Sequence, residues 1–295
     1  MTKKTIIMTF IIILIIVLGI GIYNFHRQES LSINPGTENK TIINESAEPD
    51  EPTETIDETN EKPNTPAAEL SQEFSSAIEN TIKFFSGSNT QIVAIGDSLT
   101  QGVGDSTRQG GYVGILDKNI NHGKRVATFE NLGKRGNQTT HLLKRLKEPA
   151  IKRSLKNTDI VLITIGANDI MQVAKENFTE MTYDIFAEER VYYEDRLQTI
   201  FSSIIALNPD ASIYLIGFYN PFQQYFEHIK ELDMIVDDWN NTSKQVAEEY
   251  GATFIPTKDI FMNEETNLFA DDHFHPNEQG YQLMAERILD YLVVD

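Results

Sequence analysis

Cysteine is absent from the 295 residues. That excludes a disulfide framework, thiolate metal sites, a cysteine nucleophile and the lipid-attachment cysteine of a bacterial lipoprotein. Basic residues are scarce beside acidic ones, 25 against 44, for a formal net charge of -19 and a pI of about 4.7. Binding nucleic acid needs a basic face that neutralises phosphates, so nucleic acid is excluded as a partner. The same imbalance argues against electrostatic docking on anionic lipid. There is no G-x-G-x-x-G, and no Lys-Ser/Thr follows Gly102-Val103-Gly104, which therefore reads as a flexible loop rather than a nucleotide cradle. No internal repeat is evident.

Long apolar runs are also rare, and the longest lies at the amino terminus. Ile6 to Tyr23 reads IIMTFIIILIIVLGIGIY, uncharged and preceded by Lys3 and Lys4. At about 1.5 Å per residue such a run nearly spans a bilayer's hydrocarbon core. A cleaved signal peptide is the rival, but bulky residues surround Gly19 and Gly21, the only small candidates for a cut site. The expectation is an uncleaved anchor over residues 1–23: a single pass in the cell membrane, with the lysines cytoplasmic and everything after Tyr23 extracytoplasmic.

Residues 24–68 carry Pro35, Pro49, Pro52, Pro63 and Pro66 among acidic and polar residues, without an apolar period. They read as a solvated tether. Leu70, Phe74, Ile78, Ile82 and Phe85 then recur at helical spacing before Gly87, opening a domain expected over 69–295. A chain of that size can bury a full core without disulfide or metal.

From Gln91 onward short apolar runs alternate with amphipathic stretches. Strands are expected at Ile92 to Ile95, Ala127 to Asn131, Ile160 to Ile165, Ile213 to Gly217 and Thr253 to Ile255. Helices are expected near Tyr112 to Ile120, Thr139 to Lys147, Glu189 to Leu207, Leu232 to Tyr250 and Asn277 to Leu292. The alternation predicts an α/β fold, a three-layer α/β/α domain around a parallel sheet, preceded by the transmembrane helix. In such sheets the ligand site lies at the carboxyl ends of the strands.

Four segments fall at the ends of these elements. Gly96-Asp97-Ser98-Leu99 follows the first strand. Asn131 to Asn137, Gly166-Ala167-Asn168-Asp169 and Asp272-His273-Phe274-His275-Pro276 follow in order. A lone Gly-Asp-Ser is as readily a helix N-cap, but the four together read as a serine hydrolase. A hydroxyl is a poor nucleophile until a base takes its proton, and His275 is the candidate base for Ser98. Asp272 lies three residues earlier, within reach of the far ring nitrogen of His275.

These blocks resemble the GDSL or SGNH hydrolase family, named for the Ser, Gly, Asn and His of its four motifs. The resemblance covers Gln91 to the end, and within the family the chain looks like the membrane-anchored, lysophospholipase-like esterases of Gram-positive bacteria. It implies a flavodoxin-like fold and cleavage of carboxylic esters, with an oxyanion hole made by the backbone N–H groups of Ser98 and Gly136 and the side-chain amide of Asn168. It implies no cofactor and no metal.

Several alternatives stay open at this level. Asp271, Asp272, His273 and His275 could crowd around a metal, and His273 could replace His275 as base, although the Asp-x-x-His-Pro register favours His275. The substrate is an acyl lipid or lysophospholipid by preference; an O-acetylated cell-wall sugar, acyl transfer to such a carbohydrate, and a membrane-tethered binding module without activity are the others. Phe178, Met181, Tyr183 and Phe186, with Phe218, Tyr219, Phe222, Tyr225 and Phe226, form either an apolar rim for an acyl chain or ordinary core. The oligomeric state is not legible.

Overall fold

A computed structural model describes residues 89–292, apart from 224, 225, 227, 228 and 263–265. Five strands form one parallel sheet: β1 Thr90–Gly96, β2 Ala127–Gly133, β3 Ile160–Thr164, β4 Ser212–Ile216 and β5 Thr253–Ile255, in the order β2-β1-β3-β4-β5. Among the described residues eight α-helices connect or flank them. They are α1 Ser98–Gln101, α2 Gly111–Ile120, α3 Thr139–Arg145, α4 Pro149–Lys156, α5 Ala167–Glu176, α6 Tyr183–Leu207, α7 Lys230–Glu249 and α8 Glu278–Leu292.

Period-two alternation divides the core. Val93, Ile95, Val161, Ile163 and Leu215 face a cluster built with α3 to α7, while Ile92, Ala94, Leu162, Tyr214 and Ile216 face one built with α2 and α8. Helices thus cover both faces of the sheet, the three-layer arrangement expected of the α/β class. Trp239 of α7 is fully buried and stacks on Tyr193 of α6 with ring centroids 4.7 Å apart. The chain leaves β1 toward β2 on one side and reaches β3 on the other, which puts the topological switch point between β1 and β3.

The expected membrane anchor is corrected. Among the described residues no helix is long and apolar enough to cross a membrane. The longest, α6, is interrupted by Asp184, Glu188, Glu189, Arg190, Glu194, Asp195 and Arg196, so it can bury only a stripe. Residues 1–23, on which the anchor, the single-pass location and the membrane contact rested, lie outside the described residues, as do the tether over 24–68 and the helix after Glu69. The fold described is the α/β/α domain without a membrane-spanning helix, and the extracytoplasmic placement has no structural footing.

Candidate active site

β1 ends at Gly96, whose α-carbon runs so close to β3 that an added Cβ would lie 2.0 Å from Thr164 O. Asp97 then caps α1, its Oδ1 accepting the Leu99 N–H at 3.0 Å, and Ser98 is the first residue of the helix. Behind Ser98 lies a buried polar chain. Thr164 Oγ1 donates to Asp97 Oδ1 at 2.8 Å, which leaves it to accept from Thr100 Oγ1 at 2.7 Å, and Thr100 in turn accepts from the Tyr112 hydroxyl at 2.9 Å. Burial pushes the Asp97 carboxyl up to about 7, and the bonds from Leu99 and Thr164 offset only part of that.

His275 sits just before α8 and is buried, 4% exposed. Its Nδ1 lies 2.6 Å from Asp272 Oδ2, while Asp272 Oδ1 accepts the backbone N–H groups of Phe274 and His275 at 3.1 and 2.9 Å. Burial of Asp272 opposes its charge, but the hydrogen bonds from His275 and Phe274 outweigh it and hold the carboxyl at about 2. His273 is exposed and adopts φ 51°, whereas His275 is buried and bonded to Asp272. Among the described residues no group of three or more His, Asp or Glu side chains is gathered as a metal ion would require.

The loop after Ser98 packs on the His275 segment. Gly104, at φ 96°, approaches so closely that a Cβ would lie 2.4 Å from Pro276 O and 2.9 Å from His275 Cβ. From α8 the Tyr281 hydroxyl donates to Val103 O at 2.7 Å. Two contacts therefore tie the Gly102 to Gly104 loop to the segment that carries the imidazole.

Gly136 occupies an exposed turn after β2 at φ 75°, and Asn168 is the second residue of α5, after β3. The structure brings these two loops together. Asn168 Nδ2 donates to Asn137 O at 3.0 Å, and Gln138 Nε2 donates to Asn168 O at 3.3 Å. Arg145 closes the turn from below, donating to Leu132 O at 2.7 Å, Asn137 Oδ1 at 3.2 Å and Gly96 O at 3.4 Å. Sequence reasoning missed Arg145, because a basic residue in the last turn of a short helix reads as a solvated cap. It also missed the hydroxyl chain from Asp97 to Tyr112, whose members share no local pattern.

Of the aromatic residues considered for an acyl rim, Phe186, Phe218, Tyr219 and Phe222 are 1 to 3% exposed and belong to the core. Phe178 and Tyr183 are exposed, and Tyr225 lies outside the described residues.

A doubly wound parallel sheet, a Gly-Asp-Ser turn at the carboxyl end of β1 and an Asp–His pair ahead of the last helix define an esterase/lipase-type hydrolase. The model of the GDSL-like Lipase/Acylhydrolase family matches residues 94–283, and the chain belongs to that family. It is 36% identical over 202 residues to the protein YpmR of Bacillus subtilis, covering 67% of this chain and 79% of that one. With the spore germination lipase LipC of Bacillus licheniformis it shares 26% identity over 206 residues, 67% of this chain and 94% of that protein. Among solved structures, the lipase Lip_vut3 from a goat rumen metagenome superposes with a TM-score of 0.60 at 25% identity, covering 68% of this chain and 95% of the other. The family expected from the sequence is thereby established and supports hydrolysis of carboxylic esters. The membrane-anchored branch of it is not, for the reason given above.

Proposed function

We propose that the protein cleaves carboxylic esters through an acyl-enzyme on Ser98, with an acyl lipid or lysophospholipid as the favoured substrate. His275 Nε2 takes the Ser98 proton as Oγ bonds to the carbonyl carbon, and the oxyanion is met by the N–H groups of Ser98 and Gly136 and the Asn168 amide. Collapse of the adduct breaks the ester C–O bond, and His275 returns the proton to the departing alkoxide. Water then attacks the acyl-enzyme, giving a proton to His275; collapse of this second adduct breaks the bond from the acyl carbon to Ser98 Oγ, and His275 returns the proton to Oγ as the carboxylic acid leaves. Asp272 holds the imidazole in the tautomer whose Nε2 is free to accept. The observation that carries this reading is the 2.6 Å contact of Asp272 with His275, in a segment packed on the loop that follows Ser98. The lipid preference rests on the two relatives named as lipases.

The test uses a fluorophosphonate probe and a panel of p-nitrophenyl esters from acetyl to palmitoyl, with a lysophospholipid and an acetylated glycan alongside. Labelling is expected at Ser98. Ser98→Ala is expected to lose labelling and about 10³-fold or more in kcat while its melting temperature holds. Retained turnover in folded Ser98→Ala sinks the covalent mechanism, and a preference for acetyl groups on glycan overturns the lipid assignment.

A further inference from the structure

Asp169 follows Asn168 directly and is buried, 4% exposed, yet the mechanism above gives it no task. Both of its carboxyl oxygens take bonds from Thr139. The Thr139 backbone N–H donates to Oδ2 at 3.0 Å, and the Thr139 hydroxyl donates to Oδ1 at 2.5 Å. Arg196 of α6 completes the group, with Nε donating to Thr139 Oγ1 at 2.7 Å and Nη2 lying 3.4 Å from Asp169 Oδ1 and 2.9 Å from Glu189. The Thr139 hydroxyl thus accepts from Arg196 and donates to Asp169.

These contacts lie one residue beyond those of the oxyanion loops. Asn137, Gln138 and Thr139 face Asn168 and Asp169 in register: Asn168 Nδ2 to Asn137 O, Gln138 Nε2 to Asn168 O, and Thr139 to the Asp169 carboxylate. A side-chain amide has two N–H groups. With one committed to Asn137 O, the direction of the other follows from where the 136–139 turn sits relative to the start of α5. The bonds from Thr139 to Asp169 tie that turn to the start of α5. Asp169 takes two short bonds from Thr139, at 3.0 and 2.5 Å, whereas Gln138 reaches Asn168 through one contact of 3.3 Å.

We infer that Asp169, Thr139 and Arg196 form a clamp that positions the Asn168 amide for the oxyanion, acting on the reaction through Asn168 without touching substrate. The inference rests on the oxyanion role proposed for Asn168. A displacement well under 1 Å suffices for an effect on rate, since preorganised donors lose much of their value when misplaced.

The experiment is a kinetic double-mutant cycle in the full-length protein, with melting temperature measured on each preparation. Thr139→Val removes the hydroxyl and keeps the backbone donor; Thr139→Ser keeps both. Thr139→Val is expected to lower kcat about tenfold with KM within about twofold, and Thr139→Ser is expected to restore kcat. In an Asn168→Ala background, itself about 10²-fold slower, Thr139→Val is expected to cost nothing further. Should Thr139→Val melt below the assay temperature, Arg196→Lys replaces it in the same cycle, keeping the charge and losing the Nε donor. Unchanged kcat in the folded variant, or equal losses in both backgrounds, overturns the clamp and leaves Asn168 in place. An unchanged kcat in Asn168→Ala removes the oxyanion role itself, and the clamp with it.

Discussion

The carboxylate of Asp272 grips His275 twice, through the ring at 2.6 Å and through the backbone N–H at 2.9 Å. Both bonds close within one turn of chain, so the imidazole is oriented by a loop that carries its own brace and needs no acid from a distant strand.

Asp272→Asn tests that brace. An asparagine can still accept the backbone N–H groups, but its amide can present a donor to Nδ1 and hold the wrong tautomer. The expected loss in kcat is about 10²-fold to 10⁴-fold with KM little changed. Because the folded carboxyl titrates at about 2, below its usual 3.8, the stability it contributes is present above 3.8 and is lost as pH falls toward 2. The melting temperatures of variant and parent should therefore converge in acid. Thermal scans from pH 2 to 7, beside kinetics at pH 7, check both halves.

Asp97 works in the opposite sense. Its carboxyl is pushed from 3.8 up to about 7, so the folded state favours the neutral form. Its contribution to stability is full below about 4, declines as pH rises from there to about 7, and stays lost above. Asp97→Asn keeps an acceptor for Leu99 and Thr164 and removes the titration. Across pH 4 to 8 the variant should gain stability relative to the parent, by up to a few kcal/mol. Parallel melting curves for the two proteins would contradict the burial argument.

Gly104→Ala probes the contact between the Ser98 loop and the His275 segment. A methyl there meets Pro276 O and His275 Cβ and must push the two apart, so kcat should fall more than tenfold and the melting temperature should drop. Gly123→Ala is the control. Gly123 has the same sign of φ, at 88°, but nothing within 4 Å of an added Cβ, so it should lose about 1 kcal/mol of stability and keep its turnover. Equal losses of kcat in both would locate the effect in backbone strain.

Strands β1, β3 and β4 were legible because strands buried on both faces read as near-continuous apolar runs: IVLIT in β3 and SIYLI in β4 leave no competing period. Helix α6 begins at Tyr183 rather than Glu189, since the charged residues of its first turns mask the stripe that Phe186 continues. Helices α4 and α5 escaped notice; α4 offers only Ile151 and Leu155 to the core, too few to establish a period. The four motif blocks were legible because each is a local signature at a strand or helix end. Their supports were not. Thr139 and Asp169 are 30 residues apart, and Thr164 and Asp97 are 67 apart, so only the folded sheet makes them neighbours. Phe186, Phe218 and Phe222 could be rim or core by sequence, and burial assigns them to the core.

Trp239 is the only tryptophan in the chain, and its indole N–H has no hydrogen-bond partner among the described residues. It leans on Tyr193, whose hydroxyl lies 2.8 Å from where a Cβ on Gly166 would stand, two residues ahead of Asn168. The protein therefore carries a single indole fluorophore, buried among apolar side chains beneath the start of α5. Its emission gives an optical signal free of other indoles, one that shifts to the red when water first enters between α6 and α7 and so reports loosening of that layer.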